Sequence, residues 1–170
     1  MKTALLVIDM QNDYLWEKRK PLFAYHTAEL VSGVNAVIHE HADRGEDVIY
    51  IRHIIQNLVT NRLLFGYSIA GTQGADIFSG IDIVSEYVFD KLVGDALTNK
   101  KLLSLLREKQ IDTLHLCGLD EYGCVTATAL GAVRRGFTAA IVQRGTETVL
   151  PERKTAKKRA KLGQAGVTRI

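Results

Sequence analysis

Thr113-Leu114-His115-Leu116-Cys117, then Gly118-Leu119-Asp120-Glu121-Tyr122-Gly123, then Cys124-Val125-Thr126-Ala127-Thr128-Ala129-Leu130-Gly131-Ala132-Val133 reads as an apolar strand, a turn and a helix in direct succession. Repeated along a chain, that alternation is the signature of a parallel sheet covered by helices. It also places the Cys124 thiol at a strand-to-helix junction. Backbone N–H groups in the first turn of a helix have no partner within it, and the helix dipole adds about half a positive charge there. Both effects favour thiolate, so Cys124 is expected to react more readily than the ordinary thiol pKa of about 8.5 allows. The same N–H groups suit an oxyanion formed when sulfur attacks a carbonyl. A lone Cys beside an apolar run is also commonly a small core residue, and Cys117, inside the strand, reads that way.

Outward from this stretch the alternation continues. Ala4 to Ile8 is a first strand, buried on both faces. Thr27 can cap a helix carrying Leu30, Val31, Val34, Val37 and Ile38 on one face, with Gly45 just past its end. Val48 to Ile51 is a second strand and Glu86 to Phe89 a short third. Between them residues 56 to 80 hold Gly66, Gly71, Gly74 and Gly80 among polar residues, which predicts a loop with one short helix around Ala75 to Phe78. A helix starting at Thr98 or Asn99 bears Leu102, Leu103, Leu105 and Leu106. The Cys124 helix ends near Gly136, Thr138 to Val142 is a fifth strand, Pro151 fits a first helical turn, and Val167 to Ile170 is a sixth strand. The expected architecture is α/β, one domain over residues 1 to 170.

Composition agrees with a globular chain. A hydrophobic fraction of 46% and a charged fraction of 24% are ordinary, which argues against disordered and fibrous classes. The net charge of +3 owes much to the segment from Arg153 to Lys161. Helical spacing spreads those charges over several faces, and no aromatic residue is interleaved, so the segment reads as a solvated helix, with no nucleic acid as partner. The apolar start, Ala4 to Ile8, is cut by Asp9 and Gln11 before it reaches the length of a secretory segment, and no run approaches a membrane span. Two Cys on neighbouring elements fit a reducing compartment, hence a cytoplasmic location.

In open parallel sheets ligands bind beyond the carboxyl ends of the strands. Asp9 ends the first strand, Lys91 follows the third and Cys124 follows the fourth. Together they form a kit: a thiol nucleophile, a carboxylate to take its proton, and an ammonium to steady both. Trp16, Phe23, His53, Phe89 and Tyr122 stand near strand ends or adjacent turns and are the candidate substrate-binding residues. The histidines have no metal-ligand spacing: His39 and His41 face different directions on a helix, and His53 has no neighbouring His or carboxylate at ligand spacing. No cofactor is expected.

Val7-Ile8-Asp9-Met10-Gln11-Asn12-Asp13-Tyr14, Val88-Phe89-Asp90-Lys91, and Cys117-Gly118-Leu119 through Cys124-Val125-Thr126-Ala127-Thr128-Ala129 resemble, in order and spacing, the three signature blocks of the isochorismatase-like cysteine hydrolase family. The resemblance implies a three-layer Rossmann-like fold with a six-stranded, mainly parallel sheet, and Asp9, Lys91 and Cys124 as a catalytic triad. It further implies an oxyanion hole from the backbone N–H groups of Asp120 and Cys124, a cis peptide at Leu119–Asp120, a small-molecule substrate, and a homo-oligomer. Cys124 points to the branch that cleaves amides, since isochorismate's vinyl ether needs no cysteine nucleophile. Family members that deamidate nicotinamide hold a metal through an Asp-x-His segment, and here the carboxylate position is Ile51, so no metal is expected. Three further positions depart from the family: Glu121 replaces a Thr, Gly94-Asp95-Ala96 replaces a Ser-Ala-Phe-like element, and Arg144-Gly145 replaces an Asp-Ala. The expected function is hydrolysis of a carbon–nitrogen bond through a thioester. The alternatives are a catalytically silent member serving as scaffold or binding protein, and a vinyl ether hydrolase.

Overall fold

Both faces of the first strand are apolar, and both are covered. Ala4, Leu6 and Ile8 enter one core cluster while Leu5 and Val7 enter another, as the two-residue period of a strand requires. The computed structural model, which describes residues 1–170, places this strand, β1 (Thr3–Ile8), at the middle of a six-stranded sheet. The others are β2 (Asp47–His53), β3 (Val88–Lys91), β4 (Thr113–Gly118), β5 (Thr138–Thr146) and β6 (Thr168–Arg169). Their order is β3-β2-β1-β4-β5-β6, and every neighbouring pair is parallel.

The helices are α1 (Asn12–Leu15), α2 (Thr27–Asp43), α3 (Val59–Leu64), α4 (Lys100–Glu108), α5 (Thr126–Arg134) and α6 (Glu152–Gln164). On one face α2 buries Leu30, Val34, Val37 and Ile38 against Leu5, Val7, Val48 and Tyr50. On the other, Leu102 and Leu106 of α4, Ala129 and Ala132 of α5 and Leu162 of α6 pack against Ala4, Leu6, Ile8, Ile49 and Leu116. The result is the three-layer α/β fold expected from the sequence. No helix is long and apolar enough to cross a membrane. Since β1 has β2 on one side and β4 on the other, the strand order reverses between β1 and β4, and the crevice at such a switch point is where open α/β sheets bind ligands.

Several local expectations shift. β3 lies two residues later than its apolar run suggested, because Lys91 pairs in register with His53, so Lys91 is the last residue of the strand. The loop between β2 and β3 holds α3 at 59–64, and around the anticipated helix only a short 3₁₀ turn, Gln73–Ala75, forms. The cap of α2 is His26; the Thr27 hydroxyl donates instead to the Leu15 carbonyl. Asn99 does cap α4, accepting from the N–H groups of Lys101 and Leu102. Pro151 takes the cap position of α6, one place before the first turn.

Candidate active site

The three candidate chemical residues meet over the carboxyl end of β1. Asp9 leaves that strand in a left-handed conformation, φ 55°, a region that Asp tolerates better than most residues but that still carries strain. Its N–H donates to the Ile51 carbonyl, which ties the bend to β2. On the other side, Gly118 at the end of β4 has φ 104°, and a Cβ there would lie 2.0 Å from the Ile8 carbonyl oxygen. Only glycine permits this close approach. After it the chain runs through a π-type turn, Glu121–Val125, before α5 begins at Thr126, so Cys124 sits in a kinked turn just ahead of the α-helix.

Lys91 reaches across the end of β2. Its Nζ lies 2.8 Å from Asp9 Oδ2 and donates to Cys124 Sγ at 3.1 Å, with the lysine side chain fully buried. The second carboxylate oxygen, Asp9 Oδ1, is buried and has no hydrogen-bond partner. Buried polar atoms are nearly always satisfied in folded proteins, so an orphaned carboxylate oxygen on the cavity that Cys124 also lines marks a position kept open. Burial opposes the charge of Lys91, but Asp9 and Cys124 together outweigh it and raise its pKa, so it stays an ammonium. For Cys124 the balance differs from the sequence expectation. Burial pushes the thiol up to about 12, the Asp9 charge adds to this, and Lys91 only partly offsets them. The shift runs opposite to the one expected from the sequence, because desolvation and the Asp9 charge exceed the gain from one ammonium.

Cys124 and Asp9 open onto a cavity of about 210 Å³, lined also by Tyr14, Phe23, Tyr25, His53, Tyr67, Leu119, Asp120 and Gly123. Of the candidate substrate-binding residues, Phe23 and His53 line it. Trp16 lies instead in a shallower depression of about 740 Å³ beside Thr27 and Val31. Phe89 packs half-buried against the core under α4 and α5, and Tyr122, 4% exposed, is part of that core. Neither lines the cavity, because both side chains are taken up by the core on the α4–α5–α6 side of the sheet.

Tyr14, Tyr25 and Tyr67 belong to the wall and were not foreseen. The block from Asp9 to Tyr14 explains two of them. Gln11, fully buried, donates through Nε2 to the carbonyls of His53 and Ala75 and accepts from the His53 N–H. Asp13 accepts from the Ser68 N–H, and Tyr14 shares a 2.7 Å hydrogen bond with the Ser68 hydroxyl. These polar side chains, unusual directly after a buried strand, pin the 66–76 loop over the site and bring Tyr67 with it. The signal available in the sequence was that polarity. Burial, with Lys91 adding to it, lowers the His53 pKa and keeps the ring neutral.

The residues do not fit the metal of the nicotinamide-deamidating members. Ile51, 2% exposed, offers no donor, and His, Cys, Asp and Glu side chains nowhere gather in a set of three that could hold an ion. The Leu119–Asp120 peptide is trans, since no cis peptide bond is present; the sharp bend is made by Gly118. The Asp120 N–H, beside Cys124, has no backbone or side-chain acceptor in the chain. The departing positions have structural partners. Glu121 pairs with Arg169 at 2.5 Å. Asp95 caps a 3₁₀ turn through the Leu97 N–H and holds Arg135 at 2.9 Å, and Arg144 pairs with Glu40.

Residues 3–169 match the family model of the isochorismatase domain. An uncharacterized isochorismatase family protein, YddQ, of Bacillus subtilis (strain 168) is 26% identical over 144 residues, covering 84% of this chain and 76% of the relative. A probable inactive nicotinamidase of Arabidopsis thaliana is 30% identical over 171 residues, covering 91% of this chain and 85% of the relative. The crystal structure of N-carbamoylsarcosine amidase from Thermoplasma acidophilum aligns with a TM-score of 0.83 over 99% of this chain and 95% of that one, at 24% identity; this likeness is one of fold. With the family model spanning nearly every residue from β1 to β6, the chain belongs to the isochorismatase-like hydrolase family.

Proposed function

We propose that this chain hydrolyses the carbon–nitrogen bond of a small amide through a thioester on Cys124. The observation that carries the reading is the division of labour on Asp9: Oδ2 is held by Lys91, which also donates to Cys124 Sγ, while Oδ1 is buried and has no hydrogen-bond partner. A thiol with its pKa near 12 needs a base at the moment of attack. Sγ attacks the carbonyl carbon as its proton passes to Asp9 Oδ1. The N–H groups of Asp120 and Cys124 receive the oxyanion, where one such donor is worth about 10²–10³ in rate in a well-studied protease. Asp9 then gives its proton to the leaving nitrogen as the carbon–nitrogen bond breaks, which leaves the thioester. Water, deprotonated by Asp9, attacks the thioester; the acid departs and Cys124 takes the proton back. Lys91 remains charged and holds Asp9 Oδ2 in place between steps.

The amide assignment draws on two further points. The Thermoplasma structure is of an amidase, and vinyl ether hydrolysis gives a nucleophilic cysteine no task. The description of the Arabidopsis relative as probably inactive favours a silent, binding role as the second reading. A screen of small amides and ureides for ammonia release, with mass spectrometry for an acyl adduct, separates the two. Turnover is expected with an adduct on Cys124, and Cys124→Ala is expected to abolish both. Hydrolysis that survives in Cys124→Ala sinks the mechanism.

A further inference from the structure

The cavity wall carries a charge that the hydrolytic steps leave unused. Asp9 and Lys91 cancel each other across 2.8 Å, and the remaining formal charge on the lining belongs to Asp120. Its carboxylate is held rigidly by neutral donors: the Tyr25 hydroxyl at 3.1 Å, the Tyr122 N–H at 3.0 Å, the Thr148 hydroxyl at 2.9 Å and the Val149 N–H at 3.0 Å. No lysine or arginine lines the cavity. Arg19, close by in sequence, spends its donors on the carbonyls of Leu15, Trp16, Phe23 and Tyr25. Lys20 lies 5.7 Å from the Tyr67 ring centroid, donates to the Phe65 carbonyl and is not part of the lining.

Around that carboxylate the wall is aromatic. Phe23 meets Tyr14 edge-to-face with centroids 4.7 Å apart and Tyr67 likewise at 5.0 Å, so the three rings lock one another in place. Aromatic faces attract cations, and more strongly the drier the site. An anion entering the same space would lose its water and gain no cationic partner, which is strongly unfavourable.

We infer that the cavity selects small amides whose non-reacting end is positively charged, an ammonium held between the aromatic rings and Asp120, and rejects amides that carry a carboxylate. This rests on the amidase reading of Cys124 and narrows its substrate class. At about 210 Å³ the space suits an amide with a compact headgroup.

The test uses three amides of similar size: trimethylammonioacetamide, its uncharged isostere 3,3-dimethylbutanamide, and the anion malonamate. Binding to Cys124→Ala, measured calorimetrically, reads the charge preference without chemistry, and kcat/KM on the unaltered protein reads it with chemistry. The cation is expected to bind about tenfold or more tightly than its isostere, in line with the cation–π range, and malonamate weakest. Asp120→Asn should bring the ratio of cation to isostere towards one. Equal binding of the first two, or preference for malonamate, overturns the inference while leaving the amidase reading intact. The expected binding order without ammonia release or an acyl adduct on the unaltered protein would support the inferred charge preference while overturning the amidase reading. Because the isostere comparison is made without altering Asp120, it decides the matter even if Asp120→Asn unfolds the turn.

Discussion

At the scale of single residues, Asp9 has two opposed effects on Cys124, and they can be separated. Its charge raises the thiol pKa, yet its free oxygen is the proposed acceptor of the thiol proton. Asp9→Asn removes both. Lys91 then faces the sulfur unopposed, so alkylation of Cys124 by iodoacetamide at neutral pH should become faster than in the unaltered protein, while amide turnover falls by at least about 10². Cys117, fully buried with its pKa raised by burial, should stay unlabelled in both. Slower alkylation in Asp9→Asn, or turnover that persists, would remove Asp9 from its proposed role. These residues were legible in the sequence because each stands at the end of a recognisable strand. The thiol's protonation was not, since desolvation depends on what packs over the turn. The aromatic wall was equally hidden: Tyr25 and Tyr67 arrive on irregular loops, where no periodicity tells which way a ring points.

At the scale of elements, the turn that carries Cys124 is braced by the chain's last segment. Arg169 of β6 pairs with the buried Glu121 at 2.5 Å, Lys158 of α6 donates to the Tyr122 carbonyl at 3.2 Å, and Arg159 donates to the Tyr122 hydroxyl at 3.3 Å. The Thr126 hydroxyl in turn donates to the Glu121 carbonyl. So Glu121, which departs from the family's usual Thr, serves as an anchor for the turn that carries Cys124. The basic α6 is solvated as read from the sequence, burying Thr155 and Leu162, and two of its exposed cations also reach Tyr122. Arg169→Ala would leave the Glu121 carboxylate buried without its partner; because Arg169 is one-fifth exposed, the loss should fall near the lower end of the roughly 3–5 kcal/mol typical of broken buried pairs. Denaturant unfolding should register that loss, and Glu121→Gln added to Arg169→Ala should recover much of it. An Arg169→Ala protein as stable as the parent would discount the brace. Element types were read well where burial sets the period, as in β1, α2 and α4. Boundaries moved where pairing decides: β3 follows its register with β2, and α3, which buries none of its residues, has no apolar face for a periodicity to reveal.

At the scale of the whole molecule, stability should depend on pH through histidines outside the Cys124 cavity. His41 of α2 and His115 of β4 meet where the helix lies on the sheet. The His41 Nδ1 bonds the Val37 carbonyl at 2.8 Å and must carry the proton, so its Nε2 accepts from His115 Nδ1 at 2.9 Å. This contact needs at least one neutral ring, because with both protonated two N–H groups would face each other. Burial lowers the pKa of both, Arg44 disfavours the charged form further, and Glu46, 3.6 Å from His41 Nε2, only partly compensates. A histidine whose folded pKa lies below its unfolded value of about 6.5 binds fewer protons when folded, so stability is complete above that pH and declines as pH falls through it. His53, also lowered, acts in the same direction, while the exposed His26, raised by its hydrogen bond to Glu147, acts against them. Most carboxylates titrate lower, so the window between pH 7 and 5.5 isolates the imidazoles. The melting temperature should fall across that window, and His115→Thr, which removes the opposing N–H while suiting a strand, should flatten the decline. A melting temperature that is constant or rises on acidification, or a slope in His115→Thr as steep as the parent's, would rule out the pair as its source.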